Sequence, residues 1–402
     1  MRATETRVPE VLDALPLSEG HRLAVVDDGG ALAAIPQVLD VDRRWRRALP
    51  GDGAASALLD VLAAGSTARD AFTVRSWSTR TATGERSVGV DQTNESVIVG
   101  DVAVVKWATH LQEGPHPAPP RIEALRAAGF DGMPTPWGVL TWRTPTGADT
   151  VVAYVDDYLP DAVDGWTWAV DLVTAAVLEG GPGGYSAAAA DVGTVVAELH
   201  AALSTTATVA SAADAARWRH DAMDTLDTVV RLGHPGVVAR RGEVEVLLSG
   251  LGGLTGTPVI EGHGDLHVGQ VLCSRGRFVV TDFDGNPVLT APERMLPIPA
   301  ALDVAGMTQS LAHAAIVAAE YTALDATALA VVSAAGRSAF LGAYTRRLDT
   351  LGHADLFDPA PLRAFRAQQV LREIVYAARH LPRWMYVPDA ALPALLDEGT
   401  PT

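Results

Sequence analysis

The chain has 402 residues, 48% of them apolar and 20% charged, enough for two or three structural units of about 150 residues each and too apolar for a disordered chain. Its 48 acidic against 31 basic residues leave a net charge of −17, which argues against a general binder of nucleic acid or of anionic membrane, since both need a basic surface. The single cysteine, Cys273, rules out an internal disulfide and a cysteine-rich zinc site, and Lys106 is the only lysine in a chain whose other basic residues are all arginine.

The N-terminus, MRATETRVPEV, is polar and lacks the apolar run of a signal peptide. No uninterrupted run reaches ~18 apolar residues, so a cytoplasmic, membrane-free protein is expected. Residues 1 to about 88 read as short strands with turns: Leu23–Val26 and Ala31–Ile35 flank Asp27-Asp28-Gly29-Gly30, a hairpin signal, and one helix is expected near 54–64. A second hairpin is expected from Ser96–Val99 and Val102–Trp107 around Gly100-Asp101. A proline-rich connector, 114–120, leads to a helix over 121–128, and β runs follow at 137–142 and 151–158. Beyond about Pro160 the pattern turns helical, with helices expected at 188–204, 212–232 and 362–380 and a strand-rich island at 262–288. The cluster Gly180-Gly181-Pro182-Gly183-Gly184 reads as a flexible loop. Cys273 follows Val271-Leu272 and reads as a buried small hydrophobe.

A Walker-type loop is excluded, because the only lysine follows Val105, and no G-x-S-x-G elbow is present. The strongest constellation is His263-Gly264-Asp265-Leu266-His267-Val268-Gly269-Gln270, followed by Val279-Val280-Thr281-Asp282-Phe283-Asp284-Gly285. A phosphotransferase needs one carboxylate facing the acceptor hydroxyl, and an acid with an amide oxygen to hold Mg²⁺ against the phosphates. Asp265 with Gln270 five residues on, and Asp282 after an apolar strand, have that spacing. The bland reading, two aspartates capping turns of a hairpin, explains either half but not both together.

Lys106 ends the apolar strand Val102–Val105, where a compact ammonium meets phosphate oxygens in a kinase, and Glu123 on the next helix is its candidate partner. Ahead of it, Asp91-Gln92-Thr93-Asn94-Glu95-Ser96 is a small polar turn that offers N–H groups and hydroxyls to phosphate, with Thr93, Asn94 and Ser96 as candidates. Near the C-terminus, Gln369, Glu373, Tyr376 and His380 form one helical stripe ending in Pro382-Arg383-Trp384. Polar groups for hydroxyls beside an aromatic ring suit a sugar, whereas the plain alternative is a solvated face with Trp384 in the core.

These segments together resemble the maltokinase-like branch of the aminoglycoside-phosphotransferase superfamily. The likeness covers most of the chain after Val88: DQTNES, VVKW, the connector with Glu123, Val163-Asp164-Gly165-Trp166, Ala197-Glu198-Leu199-His200, HGDLHVGQVL, DFDGNP and Leu302–Met307. Leu266, Asp284, Asn286 and the segment 369–384 depart from maltokinases and are similar to the actinobacterial glucosamine kinases. The resemblance implies an α+β, bilobal, protein-kinase-like fold: a β-rich cap at 1–88, an ATP lobe at 89–159 ending in a hinge at Val155, Asp157 and Leu159, and a helical lobe at 160–402. It implies ATP and Mg²⁺ as cofactors, the latter on Gln270, Asp282 and Asp284. Asp265 is then the catalytic base, with His267, Gln369, Glu373, Tyr376 and Trp384 around glucosamine, in a monomer. Maltose, glucose or an aminoglycoside remain alternative acceptors, and a catalytically dead nucleotide or sugar sensor is the out-of-class alternative.

Overall fold

The computed structural model describes residues 10–88 and 95–398. The chain divides into two compact units: Ile122 and the residues before it with Pro134–Asp161 and Pro287–Met295, and Glu123–Met133 with Ala162–Asn286 and the residues from Leu296 on.

In the first unit, β1 (Glu10–Pro16), β2 (His21–Asp27), β3 (Leu32–Leu39) and β4 (Trp45–Arg47) form an antiparallel sheet in chain order. After α1 (Ala54–Ala63), the strands β5 (Thr67–Arg69), β6 (Phe72–Ser76), β7 (Glu85–Ser87), β8 (Glu95–Val99) and β9 (Ala103–Trp107) precede α2 (Ala118–Ala127), β10 (Pro136–Arg143) and β11 (Asp149–Asp157). They make a seven-stranded sheet ordered β5-β6-β10-β11-β9-β8-β7. Both expected hairpins form, β2–β3 and β8–β9.

The sheet runs across the boundary expected at residue 88. Strands β5 to β7 belong to it, and one core joins Leu23 and Val25 of the small sheet, Leu58 and Leu62 of α1, and Val74, Val105 and Val155 of the large one. Each such buried aliphatic side chain contributes about 2 kcal/mol of transfer free energy. Helix α1 is tied to the large sheet at its N-terminus by the Glu85 carboxylate, which accepts the N–H groups of Gly51 at 2.9 Å, Gly53 at 3.0 Å and Ser56 at 2.8 Å. An anion there meets the unpaired donors and the positive end of the helix dipole.

The second unit is helical: α3 (Gly165–Glu179), α4 (Gly183–Ala202), α5 (Ala212–Arg231), α6 (Pro235–Ala239) and α7 (Arg241–Ser249) precede two small β ladders. These are β12 (Thr208–Val209) with β13 (Pro258–Val259), and β14 (Val271–Ser274) with β15 (Arg277–Val280). After α8 (Ala291–Arg294), which belongs to the first unit, come α9 (Ala300–Tyr321), α10 (Ala326–Thr350), α11 (Leu362–His380) and α12 (Tyr386–Asp397). Trp218, Leu226, Leu248, Phe365, Leu371 and Leu392 lie in its core.

Three expectations are corrected. Residues 262–288 hold two four-residue strands among turns, because the loop at 263–267 is organised by side chains rather than by a ladder. The glycine cluster is a tight corner: Gly180 closes α3 at φ 79°, and Gly183-Gly184 already begin α4. Cys273 is half-buried rather than enclosed, on a strand whose backbone bridges to Val163. Among the described helices, α10 has the length and mean hydropathy, 1.3, that a membrane span needs, although Arg337 interrupts its apolar run.

Candidate active site

In the second unit, the catalytic-loop segment is hung from Asp303, in the first turn of α9. Its buried carboxylate accepts the backbone N–H of His263 at 2.7 Å and of Gly264 at 2.8 Å, and His200 Nε2 lies 3.3 Å away. Burial alone would push this carboxyl up, but the His200 and backbone donors together hold it below the usual range. His200 is itself fixed, its Nδ1 2.8 Å from the Tyr344 hydroxyl.

His263, also fully buried, sets the next step of the loop. Its Nε2 lies 3.0 Å from the Thr281 carbonyl, so that nitrogen carries the proton, and Nδ1 accepts the N–H of Asp265 at 3.3 Å. Burial lowers its pKa, consistent with a neutral ring used as a spacer between the loop and the segment before Asp282. Two glycines allow neighbouring backbones to touch this loop. A Cβ on Gly306 of α9 would stand 2.4 Å from the Leu266 carbonyl oxygen, and one on Gly165 of α3 only 1.6 Å from that of Val268.

Asp265 is thereby held half-buried, its carboxyl pushed up to about 6, chiefly by burial and further by Asp282, against the opposing pull of His263 and Arg372. A carboxylate of that basicity is mostly ionised at neutral pH and is a competent proton acceptor. His267 caps the single 3-10 turn Val268–Gln270 by accepting the N–H of Gly269 at 3.0 Å. Gln270 is clamped through its backbone, its carbonyl accepting the N–H of Thr281 at 2.8 Å. Asp282 is exposed and sits at φ 66°, a left-handed conformation that costs about 1 kcal/mol and turns the chain sharply between β15 and Phe283. Asp284, two residues on, is half-buried.

Helix α11 supplies the second wall. Gln369 donates from Nε2 to Glu373 Oε1 at 3.1 Å, and Glu373 Oε2 faces His313 of α9 at 3.2 Å. The expected stripe leaves the protein interior along its length: Gln369 and Glu373 are half-buried, whereas Tyr376 is 48% exposed and lies against His380, ring centres 5.4 Å apart. Trp384 is neither in the core nor free. It meets Trp166 edge-on at 5.4 Å, and Trp166 lies 6.4 Å from the His267 ring, so an aromatic row joins the loop to the end of α11. A cavity of about 20 Å³, room for one water rather than a sugar, lies beneath the loop between Asp265, Asn286, Gln369 and Arg372. The sequence reading missed Arg372, His313, Asp303 and Trp166 as site residues; the i, i+3 spacing of Gln369 and Arg372 on α11 was the available signal for the first.

In the first unit, Lys106 on β9 stands directly across from Ser96 on β8 and Tyr154 on β11, so the three side chains share one face of the sheet. Its ammonium lies 3.6 Å from Asp156 Oδ2 and 5.1 Å from the centre of the Tyr154 ring. Burial raises the Asp156 carboxyl, and Lys106 opposes the rise. Within its own unit the lysine is paired with Asp156 of the neighbouring strand, while Glu123 lies on α2 in the other unit. Val155 faces the core with Val97 and Val105, and its backbone lies inside the ladder between Gly138 and Val105. The Asp157 carboxylate is bonded to Arg80 at 2.6 Å and to the Trp137 indole N–H at 2.7 Å. Leu159 follows the last residue of β11 and is half-buried. Thr93 and Asn94 lie outside the described residues.

The donors expected for Mg²⁺ are chemically suited to it: a hard carboxylate on Asp282, a second on Asp284 and the amide oxygen of Gln270. Among the described residues no three His, Cys, Asp or Glu side chains converge as a protein-only metal cage. Few protein ligands suffit only where phosphate and water oxygens complete the shell, which is how Mg²⁺ is held beside nucleotides.

No protein-family model matches the chain. Over 399 residues it is 62% identical to a glucosamine kinase of Mycolicibacterium smegmatis, covering 97% of this chain and 99% of that one. It is 45% identical over 417 residues to a glucosamine kinase of Streptacidiphilus jiangxiensis, covering 99% and 94%. A solved glucosamine kinase in complex with glucosamine, ADP and inorganic phosphate matches with a TM-score of 0.85 at 41% identity, over 98% of this chain and 96% of that one. With relatives this similar over nearly the whole of both chains, the chain belongs to the glucosamine kinase family.

Proposed function

We propose that the protein transfers the γ-phosphoryl group of ATP to the 6-hydroxyl of D-glucosamine. The observation that carries the reading is the full-length likeness to glucosamine kinases, one of them solved with glucosamine, ADP and phosphate. In the second unit, Asp265 accepts the proton of the attacking hydroxyl as its oxygen bonds to phosphorus and the bond to ADP breaks. Glu373 faces the 2-ammonium, Gln369 and His267 bind hydroxyls, and Trp384 and Tyr376 cover the apolar side of the ring. In the first unit, Lys106 and Ser96 meet phosphate oxygens, with Thr93 and Asn94 from the preceding turn, and the chain at Leu159 borders the adenine. Asp156 orients Lys106 from the neighbouring strand, with Glu123 kept as its candidate helix partner.

Mg²⁺, when bound by Gln270 and Asp282 with Asp284 beside a second ion, supplies charge neutralisation on the phosphates. The three-part division into cap, nucleotide lobe and helical lobe is retained as a functional one, in a cytoplasmic monomer. A coupled ADP-release assay over glucosamine, N-acetylglucosamine, glucose, maltose and kanamycin tests the reading, run with and without EDTA. The highest kcat/KM is expected for glucosamine, and EDTA is expected to abolish turnover. A glucosamine signal no greater than that of glucose or maltose overturns the acceptor assignment. Light scattering that gives the mass of more than one chain overturns the monomer.

A further inference from the structure

Glu373 is half-buried, yet among the described residues neither arginine nor lysine is ion-paired with it. Its two oxygens face neutral groups instead: Oε1 the amide of Gln369 and Oε2, at 3.2 Å, the ring nitrogen Nδ1 of His313. His313 is fully buried on α9. Its Nδ1 and Glu373 Oε2 are both sealed from solvent, close together but out of hydrogen-bond alignment, and neither has another partner among the described residues.

The protonation of that ring is set from behind. Arg366 is only a donor, and its Nε lies 3.0 Å from Gln309 Oε1, which fixes the orientation of the Gln309 amide. The amide nitrogen then points at His313 Nε2 at 2.9 Å, so Nε2 must accept and the ring proton is on Nδ1, toward Glu373. Arg366 is anchored in turn by two bonds to the Glu398 carboxylate, Nη1 at 2.6 Å and Nη2 at 3.0 Å, and Arg337 grips the same carboxylate. A line of polar side chains thus runs from Glu398, at the end of the described chain, to the far wall of the site.

We propose that His313 is a positioning residue which, with its tautomer set by Gln309 and Arg366, keeps Glu373 aimed at the cationic amino group of a 2-aminosugar. This rests on Glu373 as the partner of that amine. Among the described residues no cation is paired with this half-buried carboxylate, so a cationic ligand compensates it best and the arrangement selects against the neutral hexose that differs at C2. His313 touches no substrate; it acts through Glu373.

The test compares kcat/KM for glucosamine with that for glucose in His313→Phe, His313→Asn, Gln309→Glu and Glu373→Gln. His313→Phe is expected to lower kcat/KM for glucosamine about 10-fold or more through KM, with the values for glucose and the KM for ATP within about 2-fold of wild type. His313→Asn, which keeps a donor near the Nδ1 position, is expected to recover part of the loss. Gln309→Glu is nearly isosteric and tests the relay even if the phenylalanine variant folds poorly. A carboxylate there makes Nε2 a donor, converts the ring to imidazolium and cancels part of the Glu373 charge, again raising KM for glucosamine alone. Nitrogen-15 NMR should find His313 neutral with its proton on Nδ1 in the wild type and doubly protonated in Gln309→Glu. Equal changes for both sugars, no change for either, or a wild-type proton on Nε2 overturn the proposal. If Glu373→Gln destroys the preference for glucosamine while the His313 and Gln309 variants keep it, only the positioning role falls. If Glu373→Gln keeps the preference, Glu373 is not the partner of the amine and both readings fall.

Discussion

Asp303 Oδ1 accepts the backbone N–H of Gly264 at 2.8 Å, one residue before Asp265, so a buried carboxylate determines where the proposed proton acceptor stands. Asp303→Ala removes the acceptor of two backbone donors and of His200 at once. A stability loss of about 3 kcal/mol is expected in chemical denaturation, because buried donors are left unpaired. Turnover is expected to fall with little change in KM for ATP. Asp303→Asn keeps one acceptor oxygen and should lie between the two.

The elevated Asp265 carboxyl has two pH signatures of opposite sense. As the proposed proton acceptor, Asp265 works in its ionised form, so kcat/KM for glucosamine should fall as pH drops through about 6. Stability runs the other way. A carboxyl whose pKa is raised on folding, chiefly by burial, binds its proton more tightly in the folded state, so its ionisation destabilises the fold above about pH 6. Asp265→Asn is therefore expected to be inactive yet more stable at pH 8, by on the order of 2 kcal/mol, with the gain fading toward pH 4. Melting curves across pH check the sign: a variant less stable than wild type at pH 8 contradicts it.

Gly306 sits where α9 meets the loop, 2.4 Å from its would-be Cβ to the Leu266 carbonyl oxygen. Gly306→Ala must push the backbone beside Asp265 away from the helix. A loss of about 100-fold in kcat is expected, since displacements near 1 Å are costly in a positioned reaction. The helical content by circular dichroism should be retained.

Lys106 shares its sheet face with Ser96 and Tyr154 and is paired with Asp156. Lys106→Arg keeps the charge but replaces a compact ammonium by a planar fork. It is expected to raise KM for ATP and to lower kcat about 100-fold, leaving KM for glucosamine near wild type. Asp156→Asn should produce a smaller change in the same direction. An arginine variant with wild-type turnover would remove the only lysine from the mechanism.

The local patterns legible in the sequence were those that depend on neighbours in the chain: both hairpins, α1, α11 and the spacing of Asp265, Gln270 and Asp282. What escaped depends on partners far along it. Strands β5 and β7 have three residues each and exist as strands only because β6 and β8 lie beside them. The boundary at residue 88 was placed by a change of pattern, but Val74 and Val155 share a core regardless of that change. In the site, Asp303 follows Asp265 by 38 residues and His313 precedes Glu373 by 60, and no periodicity links such pairs. The hinge at Val155 to Leu159 came from the resemblance alone, and no local pattern showed that the pleat turns the Val155 side chain into the core.

The shared core of the first unit also sets a timetable for synthesis. Strand β6 has β5 beside it at once but gains its second partner only when β10 has emerged, since Phe72 pairs with Trp142, and Ala291–Arg294 of the same unit arrive later still. Such long-range closure is slow, because loop entropy is lost before any contact repays it. The opening strands of the nascent chain must wait, with Leu23, Val25 and Val74 only partly covered, until β10 and β11, which ends at Asp157, have left the ribosome. Their exposure to chaperones or to aggregation is written into the order in which the strands are joined.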